Sequence, residues 1–175
     1  MNQTNSHLKK LTVLAMMIAL DVVLTPVFRI EGMAPMSSVV NIIAAAVMGP
    51  AYSVFMALVT AIIRMTAQGI PPLALTGAVF GAFFAGLFYQ LGRRYYLSAL
   101  GEMLGTGIIG SLLSYPVMVW FTGTKTGLFW FIYTPRFIGA TLIGTVIALP
   151  ILNLLDKQEF FKRVQRLFFS KKEAL

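Results

Sequence analysis

Long apolar runs follow one another along this chain, each closed by a charged cluster or a glycine- or proline-rich break. A helix needs about 20 apolar residues to cross a hydrocarbon core. Runs at 11–28, 51–68, 73–91, 97–121 and 135–155 have about that length, and a shorter one occupies 37–49. The chain is 58% hydrophobic and 11% charged over 175 residues. A water-facing fold of this size cannot bury so much apolar surface, because small domains leave much of their surface exposed. The expected fold class is an all-α membrane protein. It comprises a compact bundle of six transmembrane helices over residues 1–155 and a tail over 156–175.

The breaks are specific. Gly49-Pro50 marks a tight connection between the second and third spans. Gly69 and Pro71-Pro72 close the third span, and Gly92-Arg93-Arg94 closes the fourth. Thr134-Pro135 reads as a helix N-cap followed by proline at the first helical position. The aromatic-rich stretch 127–133 before it is either an interfacial loop or an extra helical turn. The first apolar run lacks a small-residue cleavage site, so it is expected to be a retained span.

Orientation follows from the cations. With the N-terminus inside, Lys9, Lys10, Arg93, Arg94, Lys157, Lys162, Arg163, Arg166, Lys171 and Lys172 fall on the cytoplasmic side. Arg29, Arg64, Lys125 and Arg136 fall on or near the other. That asymmetry obeys the positive-inside rule, places both termini in the cytoplasm, and explains the +8 charge better than nucleic-acid binding does. In the tail, Phe160, Phe161, Val164, Leu167 and Phe168 recur at helical spacing between basic residues. This is the pattern of a basic amphipathic helix at the inner surface.

Several chemistries are excluded. There is no cysteine, and the single histidine, His7, lies in the polar N-terminal stretch. Disulfides, thiolate metal sites and histidine-based metal sites are therefore not expected, nor is any cofactor. No nucleotide-binding G-x-x-x-x-G-K-[ST], no H-E-x-x-H and no G-x-S-x-G occurs. With no inverted repeat either, a binding unit energised by partners fits better than an enzyme or a stand-alone pump.

Small residues let helices in lipid approach closely. Gly77, Gly81 and Ala85 form such a stripe, as do Gly101 with Gly105 and Ala140 with Gly144. These are expected to pack the bundle internally. Ala15 and Ala19 have the same spacing, and either pack internally or form a flat docking face for another membrane protein.

Ionisable groups inside a span tend to mark a binding or transport path. Arg64 falls in the outer half of the third span, one turn before Gln68, and Asn41 falls one turn into the second. Ser114 and Tyr115 lie along the fifth, Arg136 opens the sixth, and Glu31 and Met36 belong to the first outer connection. Trp130 and Tyr133 collect at the outer mouth with Trp120. Together these residues are expected to line an outward pocket for a small, largely neutral heteroaromatic molecule. Asp21 is an internal partner for Arg64 on this reading, and Glu102 pairs with Arg93 or Arg94 near the cytoplasmic end.

Three stretches resemble the ThiW family, substrate-binding S components of energy-coupling-factor vitamin transporters. The first is Met33-Ala34-Pro35-Met36, with Val40-Asn41-Ile42-Ile43-Ala44 and Met48-Gly49-Pro50. The second is Gly77-Ala78-Val79-Phe80-Gly81-Ala82, with Ala85-Gly86-Leu87-Phe88-Tyr89. The third runs from Ala99-Leu100-Gly101-Glu102 through Gly105-Thr106-Gly107-Ile108-Ile109-Gly110 to Leu113-Ser114-Tyr115-Pro116. The resemblance covers about residues 11–122. It implies a six-helix subunit of a prokaryotic plasma membrane that captures a vitamin precursor from outside. Such a subunit docks through Ala15 and Ala19 onto a transmembrane coupling protein (EcfT-like) carrying two ATPase subunits (EcfA-like). The implied ligand is hydroxyethylthiazole, the thiazole precursor of thiamine. The chain departs from the family pattern after the third-span arginine, reading Met65-Thr66-Ala67-Gln68-Gly69-Ile70-Pro71-Pro72 where a glycine-rich Phe-Pro-Gly segment is expected. Hydroxymethylpyrimidine and pyridoxine therefore stand as alternative ligands. A stand-alone carrier or channel is the alternative function, and an intramembrane enzyme lacks a paired nucleophile and base.

Overall fold

The computed structural model describes residues 3–29, 34–123, 125, 127 and 129–169. Among them, helices are the only regular elements: α1 (Gln3–Val27), α2 (Pro35–Ala67), α3 (Leu73–Gly92), α4 (Tyr95–Glu102), α5 (Ser111–Thr122), α6 (Thr134–Leu155) and α7 (Glu159–Phe168). A π-helical segment, Met103–Gly110, joins α4 to α5 into one continuous rod. Five helical stretches are long and apolar enough to cross a membrane: Asn5–Val27, Pro35–Ala67, Leu73–Gly92, Tyr95–Thr122 and Thr134–Leu155. In hydrocarbon each backbone N–H and C=O must find its partner internally, which is why apolar runs become helices here.

The second of these is not straight. Gly49 has φ 74° and ψ 179°, outside helical space, and Pro50 follows it. Positive φ is cheap only for glycine, and proline removes a donor, so the two residues together break the helix. The segments 35–48 and 50–67 then fold back on each other. Ser37 and Arg64 would lie roughly 40 Å apart on a straight helix, yet Arg64 Nη1 donates to Ser37 Oγ at 3.4 Å. The break expected at Gly49-Pro50 is therefore a hairpin of antiparallel arms, and the five elements contribute six helical arms.

α3 packs between α2 on one side and the α4–π-helix rod on the other. Small residues make this possible. Added methyl groups at Gly101 and Gly105 would run into the carbonyls of Phe84 and Phe80, and one at Gly86 would strike Pro50. Fully buried Ala44, Ala45, Ala46, Ala57, Ala61, Ala82 and Ala85 extend the same close approach. Gly144 meets Ser38 and brings α6 onto the first arm of α2. Overpacking a tight contact costs about 1–3 kcal/mol and sometimes more. Gly101→Leu is thus expected to lower the melting temperature in detergent measurably, while Leu100→Ala, at a 47% exposed position, changes it little. Equal melting of the two variants would mean the helices stand farther apart.

α1 is held by a narrow stripe. Leu14, Asp21 and Thr25 are buried, whereas Ala15 and Ala19 are exposed together with Met16, Leu20 and Val23. The Ala15/Ala19 pair is therefore not part of the internal packing. The tail forms the amphipathic α7, and it docks on the bundle. Phe161 is buried, Phe168 meets Tyr52 edge-on at 4.9 Å, and Gln165 Nε2 donates to the Ala46 carbonyl at 2.9 Å. Phe169 lies beside Gly49 and under the Arg93 guanidinium, whose carbon is 4.2 Å from the ring centre. Lys171 and Lys172 lie outside the described residues.

Candidate functional site

A cavity of about 130 Å³ opens at the end of the bundle that carries the α1–α2, α2–α3 and α5–α6 connections. Its mouth is set by Arg29, Ala34, Pro71, Tyr133 and Arg136. Its walls are Ser37, Ser38 and Asn41 from the first arm of α2, Arg64 from the second, and Ala74, Gly77 and Ala78 from α3. Phe137 and Ala140 of α6 face them, and Glu102 with Thr106 closes the floor. A dry cavity of about 150 Å³ takes one benzene, so the space suits a single ring.

The cavity exists because the residues around it are small. Gly77 leaves room for Phe137, and at Gly81 an added methyl would strike Thr106 Oγ1 and Glu102 Oε2. The π-helical segment begins directly after Glu102 and contains Thr106. Such wide turns often occur at functional sites, and here one spans the floor.

Polar contacts order the floor. Asn41 Nδ2 donates to the Ala78 carbonyl at 3.2 Å and to Glu102 Oε1 at 3.3 Å. Thr106 Oγ1 lies 2.9 Å from both Glu102 Oε1 and the Gly77 carbonyl, so its one proton serves one acceptor at a time. Ser38 also faces the Glu102 carboxyl. Among the described residues, Asn41 Oδ1, Glu102 Oε2 and Arg64 Nε have no hydrogen-bond partner although each is buried. Native proteins leave few such atoms unsatisfied, and each one calls for an explanation.

Arg64 is 4% exposed and forms one wall. Behind it, Asp21 of α1 is fully buried and accepts from Thr25 Oγ1 at 2.9 Å. Asp21 is the opposing charge nearest in influence to Arg64, with Ser37 and Thr60 also facing the carboxylate. The internal partnership expected of the two is not a salt bridge: no N–O approach within 4 Å joins them among the described residues. At the mouth, Arg29 and Arg136 are exposed. Tyr133 is buried there, and burial pushes its phenol above the usual range, with the Arg136 guanidinium pulling the other way.

Of the residues anticipated at the pocket, the structure brings together Asn41, Arg64, Tyr133 and Arg136. It places the others elsewhere. Gln68 Nε2 donates to the Val22 carbonyl and ties the end of α2 to α1. Ser114 clasps Thr76 at 2.6 Å and donates to the Gly110 carbonyl, which joins α5 to α3. Tyr115 packs on Trp130 with ring centres 4.7 Å apart, and Trp130 remains 54% exposed, outside the cavity lining. Met36 packs into the apolar core. Glu31 lies outside the described residues, as does Met33.

Glu102 is the principal correction. It does not pair with Arg93 or Arg94. It lies two turns into the α4–π-helix rod, fully buried, while Arg93 stacks on Phe169. Its signal in the sequence was an acid between apolar residues, with Gly101 before it and Gly105 and Thr106 after it. The family model for "Thiamine-precursor transporter protein (ThiW)" matches residues 11–158.

The chain belongs to the ThiW family.

No curated protein and no solved structure matches it. The family is one of thiamine-precursor transporters. The match runs past α5 and through the whole of α6, so the helix that carries Tyr133-adjacent Arg136 and Phe137 belongs to the ThiW unit as fully as the first spans do.

Proposed function

We propose that this chain is the substrate-binding S component of an ATP-driven energy-coupling-factor importer, with hydroxyethylthiazole as its ligand. On this reading it sits in a prokaryotic plasma membrane with six crossings and both termini in the cytoplasm. The cavity faces outward, and Asn41, Arg64, Tyr133 and Arg136 contact the ligand. An EcfT-like coupling protein and two EcfA-like ATPases supply the energy.

The observation that carries the reading is a cavity sized for one ring in a ThiW-family chain with no nucleotide-binding loop of its own. Orientation is supported by charge. Lys9, Lys10, Arg93, Arg94, Lys157, Lys162, Arg163 and Arg166 gather at the end opposite the cavity, as expected for a cytoplasmic face.

Two measurements test this. Tagged chain drawn gently from native membranes is expected to bring a transmembrane subunit and ATPase subunits with it, and native mass spectrometry is expected to find hydroxyethylthiazole bound. Ligand movement by the pure chain alone in liposomes would instead establish a stand-alone carrier, and a bound hydroxymethylpyrimidine or pyridoxine would replace the ligand. Orientation is tested by Phe131→Cys at the cavity end and Leu91→Cys at the other, both exposed. The chain has no native cysteine. A membrane-impermeant thiol reagent applied outside is expected to label position 131 only, and the reverse pattern would invert the topology.

A further inference from the structure

The mechanism of capture leaves one buried group without a role: Glu102, at the cavity floor. It is 0% exposed, and among the described residues no cation lies within 4 Å of it. Oε1 is engaged by Asn41 and Thr106, while Oε2 has no partner. Asn41 spends both amide protons, on Ala78 and Glu102, and its own Oδ1 is also unpartnered. The floor therefore holds two buried acceptor atoms that none of its donors reaches, the Ser38 hydroxyl included. A carboxylate taken out of water is expensive unless a cation or a proton accompanies it. Oε2 lies beside Gly81, and the last torsion of a glutamate is broad, so rotation about it turns this oxygen toward the cavity.

We propose that Glu102, held by Asn41, is the specificity-determining residue of this site and grips a ring nitrogen of the ligand through a shared proton. The ligand class is accordingly a single-ring nitrogen heterocycle with a free, unalkylated ring nitrogen. The proton completes the count at the floor: carried by the carboxyl it is donated to the ring nitrogen, and carried by the nitrogen it is donated to the carboxylate. A ring with carbon at that position leaves Oε2 unpaired in a dry site. A ring alkylated on nitrogen has no lone pair or proton to share and adds bulk against the floor. The opposite wall offers the unpaired Nε–H of Arg64, which suits an acceptor such as a hydroxyl oxygen on the side chain of the ring. Two ends of unlike polarity fix which way round the ligand lies.

This inference rests on the reading of the cavity as the ligand site, and the test separates the two. Purified full-length protein is titrated with hydroxyethylthiazole, hydroxymethylpyrimidine and pyridoxine. Each is compared with its counterpart bearing C–H in place of ring nitrogen, and hydroxyethylthiazole also with its N-methyl derivative. At least one nitrogen heterocycle is expected to bind, with its carbon counterpart and N-methyl derivative weaker by tenfold or more. Glu102→Gln is expected to weaken the parent heterocycle by tenfold or more and to leave the carbon counterpart unchanged. The ligand-side comparison uses the unaltered protein, so it stands even if the variant does not fold. Carbon and nitrogen rings bound equally by the wild type would overturn the role of Glu102 while leaving the cavity as the site. Failure of all three heterocycles to bind would remove both.

Discussion

Arg64→Met is expected to weaken hydroxyethylthiazole binding by more than tenfold, and adding Asp21→Asn is expected to restore folding without restoring binding. The reasoning separates two jobs of one side chain. Arg64 lines the cavity, and its guanidinium donates to Ser37 while Nε stays unpaired. It also faces Asp21, a fully buried carboxylate on the neighbouring helix. Removing one member of a buried charge pair typically costs about 3–5 kcal/mol, because the other is left uncompensated. Arg64→Met alone should therefore lower the melting temperature as well as the affinity. Asp21→Asn removes the orphaned charge and keeps a group that can still accept from Thr25. The double variant should melt close to the wild type. A tenfold loss of affinity corresponds to about 1.4 kcal/mol, well within the reach of one charge-assisted hydrogen bond. Calorimetric titration and thermal melting of the three proteins decide the matter. If the double variant binds as the wild type does, Arg64 serves only the packing of α1 on α2.

The parts of this molecule that were legible in its sequence are those governed by local rules. The break at Gly49-Pro50, the stop at Gly92-Arg93 and the start at Thr134-Pro135 appear in the structure within a residue or two of where the pattern puts them, whereas α1 begins at Gln3, eight residues before the apolar run that starts at 11. Hydrocarbon forces each backbone polar group into a helix, so hydropathy and helix breakers suffice. The π-helical turn was not legible. Within it Gly105 and Gly110 meet α3 and Gly107 meets α6, contacts between distant parts of the chain that a local pattern does not show. Asn41 and Arg64 stood out as polar residues in apolar helices. Ser37, Ser38 and Ala78 did not, and Gly77 stood out only as a packing residue, because small side chains give no local sign that a cavity lies beside them. Glu102 was misplaced by counting residues from the cytoplasmic end. The cavity reaches down to it because the first arm of α2 is short and α3 is lined with glycine and alanine at that depth. Trp130 drew attention as an aromatic at the mouth and Tyr115 as a polar group along the fifth span, yet they pair with each other outside the cavity lining.

Ala15→Trp or Ala19→Trp is expected to abolish ATP-driven uptake while leaving ligand affinity and melting temperature unchanged. The spacing of the two alanines alone allowed either internal packing or docking. The structure removes the first option, since the buried stripe of α1 runs through Leu14, Asp21 and Thr25, and both alanines are exposed. An indole at either position thus meets lipid in the isolated subunit and disturbs nothing inside it. In a complex the same position matters differently. Helices in lipid gain no hydrophobic drive from meeting, so association depends on close van der Waals approach across small residues. A tryptophan inserted there holds the helices apart and forfeits those contacts together. Leu154→Trp, on the exposed face of α6, is the control for a bulky residue in lipid and should leave uptake intact. Uptake of labelled hydroxyethylthiazole by cells making the whole transporter, alongside titration of each purified variant, reads both quantities. Normal uptake by the Ala15 and Ala19 variants would show that the coupling protein docks elsewhere on the bundle. Lost uptake accompanied by lost binding would show instead that α1 shapes the cavity, through the charge of Asp21 acting on Arg64 in its wall.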